Sequence, residues 1–395
     1  MKRLFLLITA ICCISANILS QEKLAEFRKP TLTEIEKSLF KFINKEREKI
    51  NLKPLKYSMK LSIIANKHSK DMAEQKKLSH LFSDGKSYID YLVKQDFYFI
   101  KTGENIAFSE TFVPEIIHST LMNSPEHREN ILNKDFDMVG IGVFYLEKKG
   151  YYITQDFIQS LKPKPKEEAR KIIIKVINQT RKEKFLPKIP FLKRANEFAD
   201  LISEKRAKKE ILPKIPYNFG ETNIYFISTP VLSKESIVIK EIKNGRYEGG
   251  GVGIWFGRTK EYPGGTYLIT LLLFPENKYK NLSHVELQKI ILDTINKIRT
   301  KYGMNVVELD KGLSAEAYKD LINAYMKKGR GIIFPIPGKE RNRIFFYYTP
   351  APNILSPRIR SQIMNPSIQK IGVGVKFIKS SEFPSGSFWV AIILK

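Results

Sequence analysis

Histidines and acids are the side chains of this sequence that could do chemistry, and the relevant ones lie in its N-terminal third. His68 falls on a run with helical spacing, and His127 lies in a short polar motif after Pro125. Neutral imidazole binds zinc and related cations, while carboxylates position water or move protons. We therefore predict a site for Zn or another divalent cation at His68 and His127. Glu104 and Glu126 are the predicted acid–base residues.

His68 has a second interpretation, as a structural histidine of the core. It shares an apolar helix face with Leu61, Ile64 and Met72, which is typical of a buried residue. The two histidines are 59 residues apart, a spacing that is not itself a metal signature. Two imidazoles are also fewer than the three protein ligands of a typical catalytic zinc, so a carboxylate or water must complete the shell. Both interpretations stay open.

Residues 1–20 have the features of a secretory signal, with a basic start, an apolar stretch and a small residue at the end. Both cysteines, Cys12 and Cys13, fall inside this segment. Cleavage after Ser20 leaves a chain without a disulfide or a thiol nucleophile. Alternatively, Cys12 or Cys13 carries the lipid of a lipoprotein. We expect a protein that is secreted, extracellular or in the cell envelope, and that meets membrane only peripherally or by a lipid anchor.

The chain is strongly basic, with a formal net charge of +26 over 395 residues. The basic residues are spread along the sequence and mixed with acids. There is no nucleic-acid recognition motif, and export also argues against a nucleic-acid partner. A basic exported surface attracts anionic lipid, glycan or a cell-surface protein.

The pattern of the N-terminal third returns twice further along the chain. An apolar helical run ends in Ile-Asn-x-x-Arg three times, beginning at Ile43, Ile177 and Ile295. The stretch 124–143 also aligns without a gap with the stretch 356–375, at a constant offset of 232. Recurrence of front and back markers in the same order predicts three domains of one type. Their predicted bounds are 33–160, 167–275 and 284–395.

Each predicted copy has a second helix and ends in two paired strands. The helices are predicted over 61–74, 192–205 and 313–326 from their apolar spacing. The strand pairs are predicted over 139–145 with 151–158, 251–257 with 266–274, and 371–378 with 387–394. Between helix and strands, each copy is expected to have a loop and then a middle helix, and in the first copy the loop is expected from His80 to Thr120.

An ordered set of motifs over residues 35–160 carries a resemblance. The motifs are Asn44-x-x-Arg47, Leu52-x-Pro54-Leu55, Ala65-x-x-His68-Ser69-x-Asp71-Met72-Ala73, Leu78-Ser79-His80, Gly103-Glu104-Asn105-Ile106-Ala107, Ser124-Pro125-x-His127-Arg128-x-Asn130-Ile131-Leu132 and Gly140-x-Gly142-Val143. The set resembles the bacterial branch of the CAP superfamily, which includes cysteine-rich secretory proteins, antigen 5 and plant pathogenesis-related proteins. The resemblance implies an α+β fold, an α-β-α sandwich, here in three tandem copies. It also implies a cleft holding His68, Glu104 and His127, and a family in which metal binding, sterol or lipid binding and occasional proteolysis are claimed.

The sequence departs from the family pattern at two places near the cleft. Leu121 stands where a Trp is usual, and Glu126 stands where the bacterial branch usually has Gly. Glu126 therefore either replaces the family's second acid or is a surface residue. His80 matches a family position and either braces its loop or touches a ligand. His118 and His284 match nothing and are expected at the surface.

The two later copies lack the candidate site. His68 is predicted to correspond to Phe198 in the second copy and Asp320 in the third. The positions of Glu126 and His127 become Ile237 with Val238, and Arg358 with Ile359. This loss favours a binding or adhesion module for lipid, glycan or another anionic surface ligand, since tandem weak sites gain avidity. The alternative is a metal-assisted, peptidase-like hydrolase confined to the first domain.

Overall fold

The structure, a computed structural model, describes residues 30–216, 219, 221–328, 344–380 and 383–395. The predicted signal segment and both cysteines lie outside these ranges. The chain forms two compact units, one comprising the chain up to Pro163 with Arg258–Gly265, the other Lys164–Gly257 with Thr266–Lys395. Within the described ranges, no helix is long and apolar enough to cross a membrane.

The first unit begins with a helix whose start is fixed by its own sequence. Thr31 and Glu34 form a reciprocal capping box at the N-terminus of α1 (Leu32–Lys49). The helix then presents a fully buried stripe of Ile35, Leu39 and Ile43. The remaining elements are β1 (Lys56–Tyr57), α2 (Met59–Gln75), α3 (Tyr88–Lys94), β2 (Phe99–Ser109), α4 (Pro114–Asn123), α5 (Pro125–Ile131), β3 (Met138–Leu146) and β4 (Gly150–Ser160).

These elements form three layers around a four-stranded sheet of order β1-β3-β4-β2. The short β1 runs parallel to β3, and the other neighbours are antiparallel. On one face, α1, α4 and α5 pack on apolar side chains of β3 and β4. On the other face, α2 and α3 enclose a second core around Leu61, Tyr88 and Phe99. The first unit is therefore the predicted α-β-α sandwich.

Two glycines of β3 let α2 lie close against the sheet. A Cβ added at Gly140 would overlap the backbone of Leu61 and Ser62, and one at Gly142 would overlap that of Ala65 and Asn66. Close backbone approach is thus the physical reason for Gly-x-Gly in this strand. The glycines therefore set the distance between α2 and the sheet, and with it the position of every side chain that α2 directs at the sheet.

The segment expected to be a loop from His80 to Thr120 is mostly regular, so that prediction was wrong. It contains α3, the eleven-residue strand β2 and most of α4. The strand escaped recognition because buried polar residues, Glu104 and Asn105, interrupt its apolar pattern. Polar groups of this kind are stable inside a sheet only when hydrogen-bonded.

The second unit contains two further sheets, of orders β5-β7-β6 and β8-β10-β11-β9. Its first elements are α6 (Lys166–Glu183), α7 (Lys193–Ala207), β5 (Asn223–Thr229), α8 (Lys234–Ile237), α9 (Lys240–Asn244), β6 (Tyr247–Gly257) and β7 (Thr266–Pro275). Then follow α10 (His284–Lys301), β8 (Glu308–Leu309), α11 (Lys311–Lys328), β9 (Ile344–Thr349), α12 (Pro357–Gln362), β10 (Lys370–Ser380) and β11 (Phe383–Leu394). The second helix and closing strand pair predicted in each copy are confirmed.

The arginine of each Ile-Asn-x-x-Arg motif is fully buried and occupies an equivalent place. Arg47, Arg181 and Arg299 each donate to backbone carbonyls of the segment before the penultimate strand. Arg47 donates to the carbonyl oxygen of Ile131, and Arg299 donates to that of Ile363. The two acceptors are 232 residues apart, the same offset as in the sequence alignment. The contacts agree with the alignment of the three segments, and the assignment of the later two as degenerate CAP-like copies stays a prediction.

One edge of each sheet is closed by side chains rather than by a full strand. In the first sheet, β1 has two residues, and beyond it the N–H groups of Ile141 and Val143 donate to Ser62 Oγ and Asn66 Oδ1. The equivalent N–H groups elsewhere are those of Val252, Ile254, Val373 and Val375, which donate to Asn196, Asp200, Ser314 and His284 respectively. Unpaired edge groups are thereby satisfied without an added strand.

Candidate functional site

Glu104 lies at the centre of the candidate site because β2 pairs with β4 along its length. The strand register sets Glu104 opposite Asp156, and the carboxylate of Glu104 is almost completely buried. Asn130 on α5 donates to the carbonyl of Glu104 and to Asn105 Oδ1, while Asn105 donates to the carbonyl of His127. The two asparagines therefore hold α5 against β2.

Two imidazoles contact the two oxygens of the Glu104 carboxylate. His68 Nδ1 lies 2.7 Å from Oε1, and His80 Nδ1 lies 2.6 Å from Oε2. Because an ionised carboxylate only accepts hydrogen bonds, each Nδ1 carries the proton. When such a ring is neutral, its Nε2 lone pair is free, which is the arrangement of a metal-ligating histidine supported by a carboxylate.

The two histidines differ sharply in accessibility. His68 is fully buried, stacks on Phe82 with ring centroids 4.1 Å apart, and its Nε2 has no hydrogen-bond partner in the described part of the chain. The side chain of His80 is 65% exposed. His80, whose role the sequence left open, is therefore the imidazole on this carboxylate that solvent can reach.

The carboxylate and the exposed imidazole form a charge-stabilised pair. Burial raises the pKa of Glu104, but the hydrogen bonds from His68 and His80 more than reverse this effect, so its pKa lies below the ordinary value. The hydrogen bond to Glu104 raises the pKa of His80. Behind them, burial and then the negative charge of Glu104 raise the pKa of Asp156 well above its usual range. Glu104 is therefore the ionised member of the two facing acids.

His127 and Glu126 lie on the first turns of α5, beside this group. His127 is half-buried, and burial lowers its pKa, with opposing influences from the charges of Glu126 and His80. Glu126 is exposed, and its charge also acts on His80. The structure thus brings His80, Glu126 and His127 within electrostatic reach of one another. The buried pair of Glu104 and His68 adjoins them through the contact of Glu104 with His80. In the described ranges, no group of three or more His, Cys, Asp or Glu side chains is arranged to hold a metal.

Two histidines expected at the surface have structural roles instead. His118 on α4 is buried beside Phe42, so the surface prediction was wrong for it. Burial lowers its pKa, which favours the neutral ring. His284 is half-buried and accepts the edge N–H of Val375 at 3.4 Å.

The residue equivalent to His68 in the second copy is Ile202, so the sequence prediction of Phe198 was wrong. Ser69 and Ser203 make matching hydrogen bonds to Thr154 and Thr270, which fixes the register of the two helices. Ile202 is buried and apolar. The sequence contained the information for this alignment, because Ile43 and Ile177 are 134 residues apart and the same offset takes His68 to Ile202.

A separate cavity of about 700 Å³ opens in the first unit between α1 and α2, at the free edge of β3. Its apolar lining comprises Leu32, Phe40, Tyr57, Met59, Ile63 and Val143. Glu36 is part of the wall, and burial raises its pKa despite a hydrogen bond from Asn66. Lys37 contributes an exposed positive charge. Sequence motifs gave no sign of this cavity, because its lining comes from helix faces rather than from a local pattern.

Comparison with known proteins places residues 40–157 in a family model described as CAP, the cysteine-rich secretory protein family. Over 123 residues the chain is 37% identical to the uncharacterized protein YkwD of Bacillus subtilis, a match covering 31% of this chain and 46% of YkwD. It is 34% identical over 127 residues to the uncharacterized membrane protein YlbC of the same organism, covering 32% of this chain and 35% of YlbC. The matches thus span less than half the length of these relatives.

Solved structures with similar segments include two bacterial surface or extracellular proteins. An extracellular protein of Bacillus anthracis containing an SCP domain is 28% identical, over 33% of this chain and 43% of that one, with a TM-score of 0.30. An outer surface protein of Borrelia burgdorferi is 23% identical, over 34% of this chain and 98% of that one, with a TM-score of 0.31. From the motifs, the sandwich and the family match together, residues 40–157 of this chain are a CAP domain of the bacterial branch of the superfamily.

Proposed function

We propose that this chain is an exported binding protein whose CAP domain takes the apolar chain of a lipid. The observation that carries the proposal is the cavity between α1 and α2, whose exposed surface is mostly apolar. Its volume falls in the range of roughly 300–1,000 Å³ that is usual for small-molecule sites. Export is supported by the basic and apolar start of the sequence.

The charges at the cavity fit an amphiphile with an anionic head. Lys37 is exposed and forms no ion pair within the described residues, so it can meet a carboxylate or phosphate. The raised pKa of Glu36 favours its neutral form, which reduces repulsion of an anionic head. An acyl chain would then cover Met59 and Ile63, which are 68% and 60% exposed.

Substitution of Ile63 by glutamate is expected to weaken binding of a fatty acid by at least about tenfold. The change removes apolar contact area and places a charge on the wall that an acyl chain must cover. Fluorescence titration of cis-parinaric acid into the chain 21–395 measures this directly. Ile50→Glu is the matched control, since Ile50 is 52% exposed in the same unit and does not line the cavity. Equal affinity of the I63E and I50E variants, or no uptake by the unmodified chain, would contradict the proposal.

A second candidate function, binding of a divalent cation, rests on the Glu104 group. The side chain of His80 is 65% exposed, its ring is held by the Glu104 carboxylate through Nδ1, and His127 lies within electrostatic reach. Zinc accepts imidazole ligands supported in this way. Such an ion would supply Lewis acidity to a metal-assisted hydrolase, which stays the alternative function. Each oxygen of Glu104 already accepts one hydrogen bond and the carboxylate is almost completely buried, so a base role requires that water reach one of its remaining lone pairs.

Zinc affinity is expected to fall at least about tenfold in His127→Ala and in His80→Ala, because each removes an imidazole ligand. It should also increase as pH rises through the raised pKa of His80, since a proton and a metal compete for the same ring. Isothermal titration calorimetry of the chain 21–395 with ZnCl₂ gives both results. His284→Ala, in the second unit, is the control. Zinc uptake at micromolar metal that is independent of both His80 and His127 would end this candidate.

A further inference from the structure

The turn after α6, residues 182–188, contains a side chain that the fold does not require. Phe185 is 97% exposed and has a φ of 55°. The equivalent turns contain Asn51 with a φ of 58° and Gly303 with a φ of 72°. Equivalence follows from the closing hydrogen bond of each turn, such as that from Leu186 N to Arg181 O at 2.9 Å.

Phenylalanine is an unfavourable choice at this position for two reasons. A left-handed backbone suits glycine and asparagine, the residues found in the other two turns, and is uncommon for a bulky side chain. An aromatic ring that extends into water also gains no burial. Among the described non-glycine residues with positive φ, Phe185 is the one aromatic residue. A strained backbone whose side chain makes no stabilising contact within the fold points to a functional contact.

The surroundings of Phe185 are positively charged. Lys182, Lys184 and Lys188 are exposed, and in the described part of the chain they form no ion pair. Glu183 is the acid of this turn, and Lys234 neutralises it at 2.5 Å. The turn therefore presents one aromatic side chain surrounded by uncompensated lysines.

A cavity of about 440 Å³ beside Phe185 has the same electrostatic character. Arg246 is exposed on its wall, together with the half-buried ring of Tyr247. Both acids of its wall are paired: Glu248 contacts Lys280 at 2.9 Å and Lys379 at 2.7 Å, and Glu276 also contacts Lys280. The acids next to the turn are thus already paired, and the guanidinium of Arg246 is available to an incoming anion.

We propose that the turn 182–188 docks the protein on an anionic phospholipid bilayer, with Phe185 entering the headgroup region and the lysines contacting lipid phosphates. Aromatic side chains favour the interface between water and acyl chains, and nearby lysines add attraction to anionic lipids. The surface lies outside the CAP domain and does not rest on the fatty-acid proposal. It also accounts for the use of phenylalanine where asparagine or glycine would be more stable.

The test is co-sedimentation of the chain 21–395 with vesicles of phosphatidylglycerol and phosphatidylcholine. Phe185→Asn installs the residue found at position 51, and we expect about a tenfold loss of binding with no fall in the thermal unfolding midpoint. Lys182→Gln with Lys184→Gln should weaken binding on the order of thirtyfold. Lys41→Gln with Lys45→Gln, both exposed on α1, is the control of equal net charge.

Two further measurements separate docking from general electrostatic attraction. Phe185→Trp should give a blue-shifted emission on addition of the anionic vesicles, beyond any change of the unmodified chain, and no shift with phosphatidylcholine alone. The Phe185→Asn variant should still bind cis-parinaric acid, and the Ile63→Glu variant should still bind vesicles. Vesicle binding that is unchanged in Phe185→Asn, or equal losses in both lysine pairs, would overturn the proposal.

Discussion

Arg47→Ala is expected to lower the free energy of unfolding of the first unit by about 4 kcal/mol. The guanidinium is fully buried, and it supplies the hydrogen bonds that backbone carbonyl groups of the neighbouring segment would otherwise receive from water. Its four hydrogen bonds go to the carbonyl oxygens of Lys53, Ile131, Asn133 and Phe136, at 3.0, 2.9, 2.8 and 3.3 Å. Alanine would leave these acceptors without their donor and create a cavity. Urea unfolding followed by circular dichroism measures the loss.

Lys45→Ala is the matched control for this prediction. Lys45 lies two residues earlier on the same helix and is exposed, so its loss should change the free energy of unfolding by less than about 0.5 kcal/mol. Arg181→Ala should have an effect as large as Arg47→Ala, but on the second unit. If Arg47→Ala unfolds at the same urea concentration as Lys45→Ala, the buried arginine is not a principal stabilising contact.

Gly142→Ala should lower the melting temperature of the first unit by about 10 °C, corresponding to roughly 3 kcal/mol. The new Cβ would overlap the backbone of Ala65 and Asn66, which cannot rotate away as a side chain can. Helix α2 would have to move off the sheet, and the hydrogen bond from Ser69 Oγ to Gly142 O at 3.0 Å would lengthen. Differential scanning calorimetry detects the shift.

Gly312→Ala provides a control of opposite sign. Gly312 lies in α11, and its added Cβ would come no closer than 3.3 Å to Asp310 Oδ1. Alanine in a helix is favoured over glycine by about 0.5–1 kcal/mol, so this variant should be slightly more stable. A Gly142→Ala protein that melts within a degree or two of the unmodified chain would show that α2 can relax without loss.

Elements with a strong period were predictable from the sequence, because burial on one face imposes the pattern directly. The closing strand pair 139–145 with 151–158 lies within β3 and β4, and the second helix 61–74 lies within α2. Strand β2 was missed because its central residues, Glu104 and Asn105, are buried polar groups that hydrogen-bond to side chains of other elements. Period-based reasoning fails where a strand is built around a buried carboxylate.

The candidate site was predicted in part. His68, Glu104, Glu126 and His127 are all associated with one region of the first unit, as their motifs suggested. The sequence could not assign His80 to Glu104, since that contact depends on how the segment after α2 returns over β2. Metal binding and acid–base roles stay predictions, and the cavity between α1 and α2 became visible only once these helices were placed in space.

Side-chain closure of the sheet edges has a consequence for how such a chain avoids misassembly. Three similar sheets in one polypeptide are at risk of pairing with each other's strands, or with those of a second molecule, while they fold. At the edges of β3, β6 and β10, backbone N–H groups that could pair with a foreign strand already donate to side chains of the chain's own helices. These side chains thus oppose the addition of a foreign strand at one edge of each sheet, which disfavours domain swapping and fibril growth at that edge.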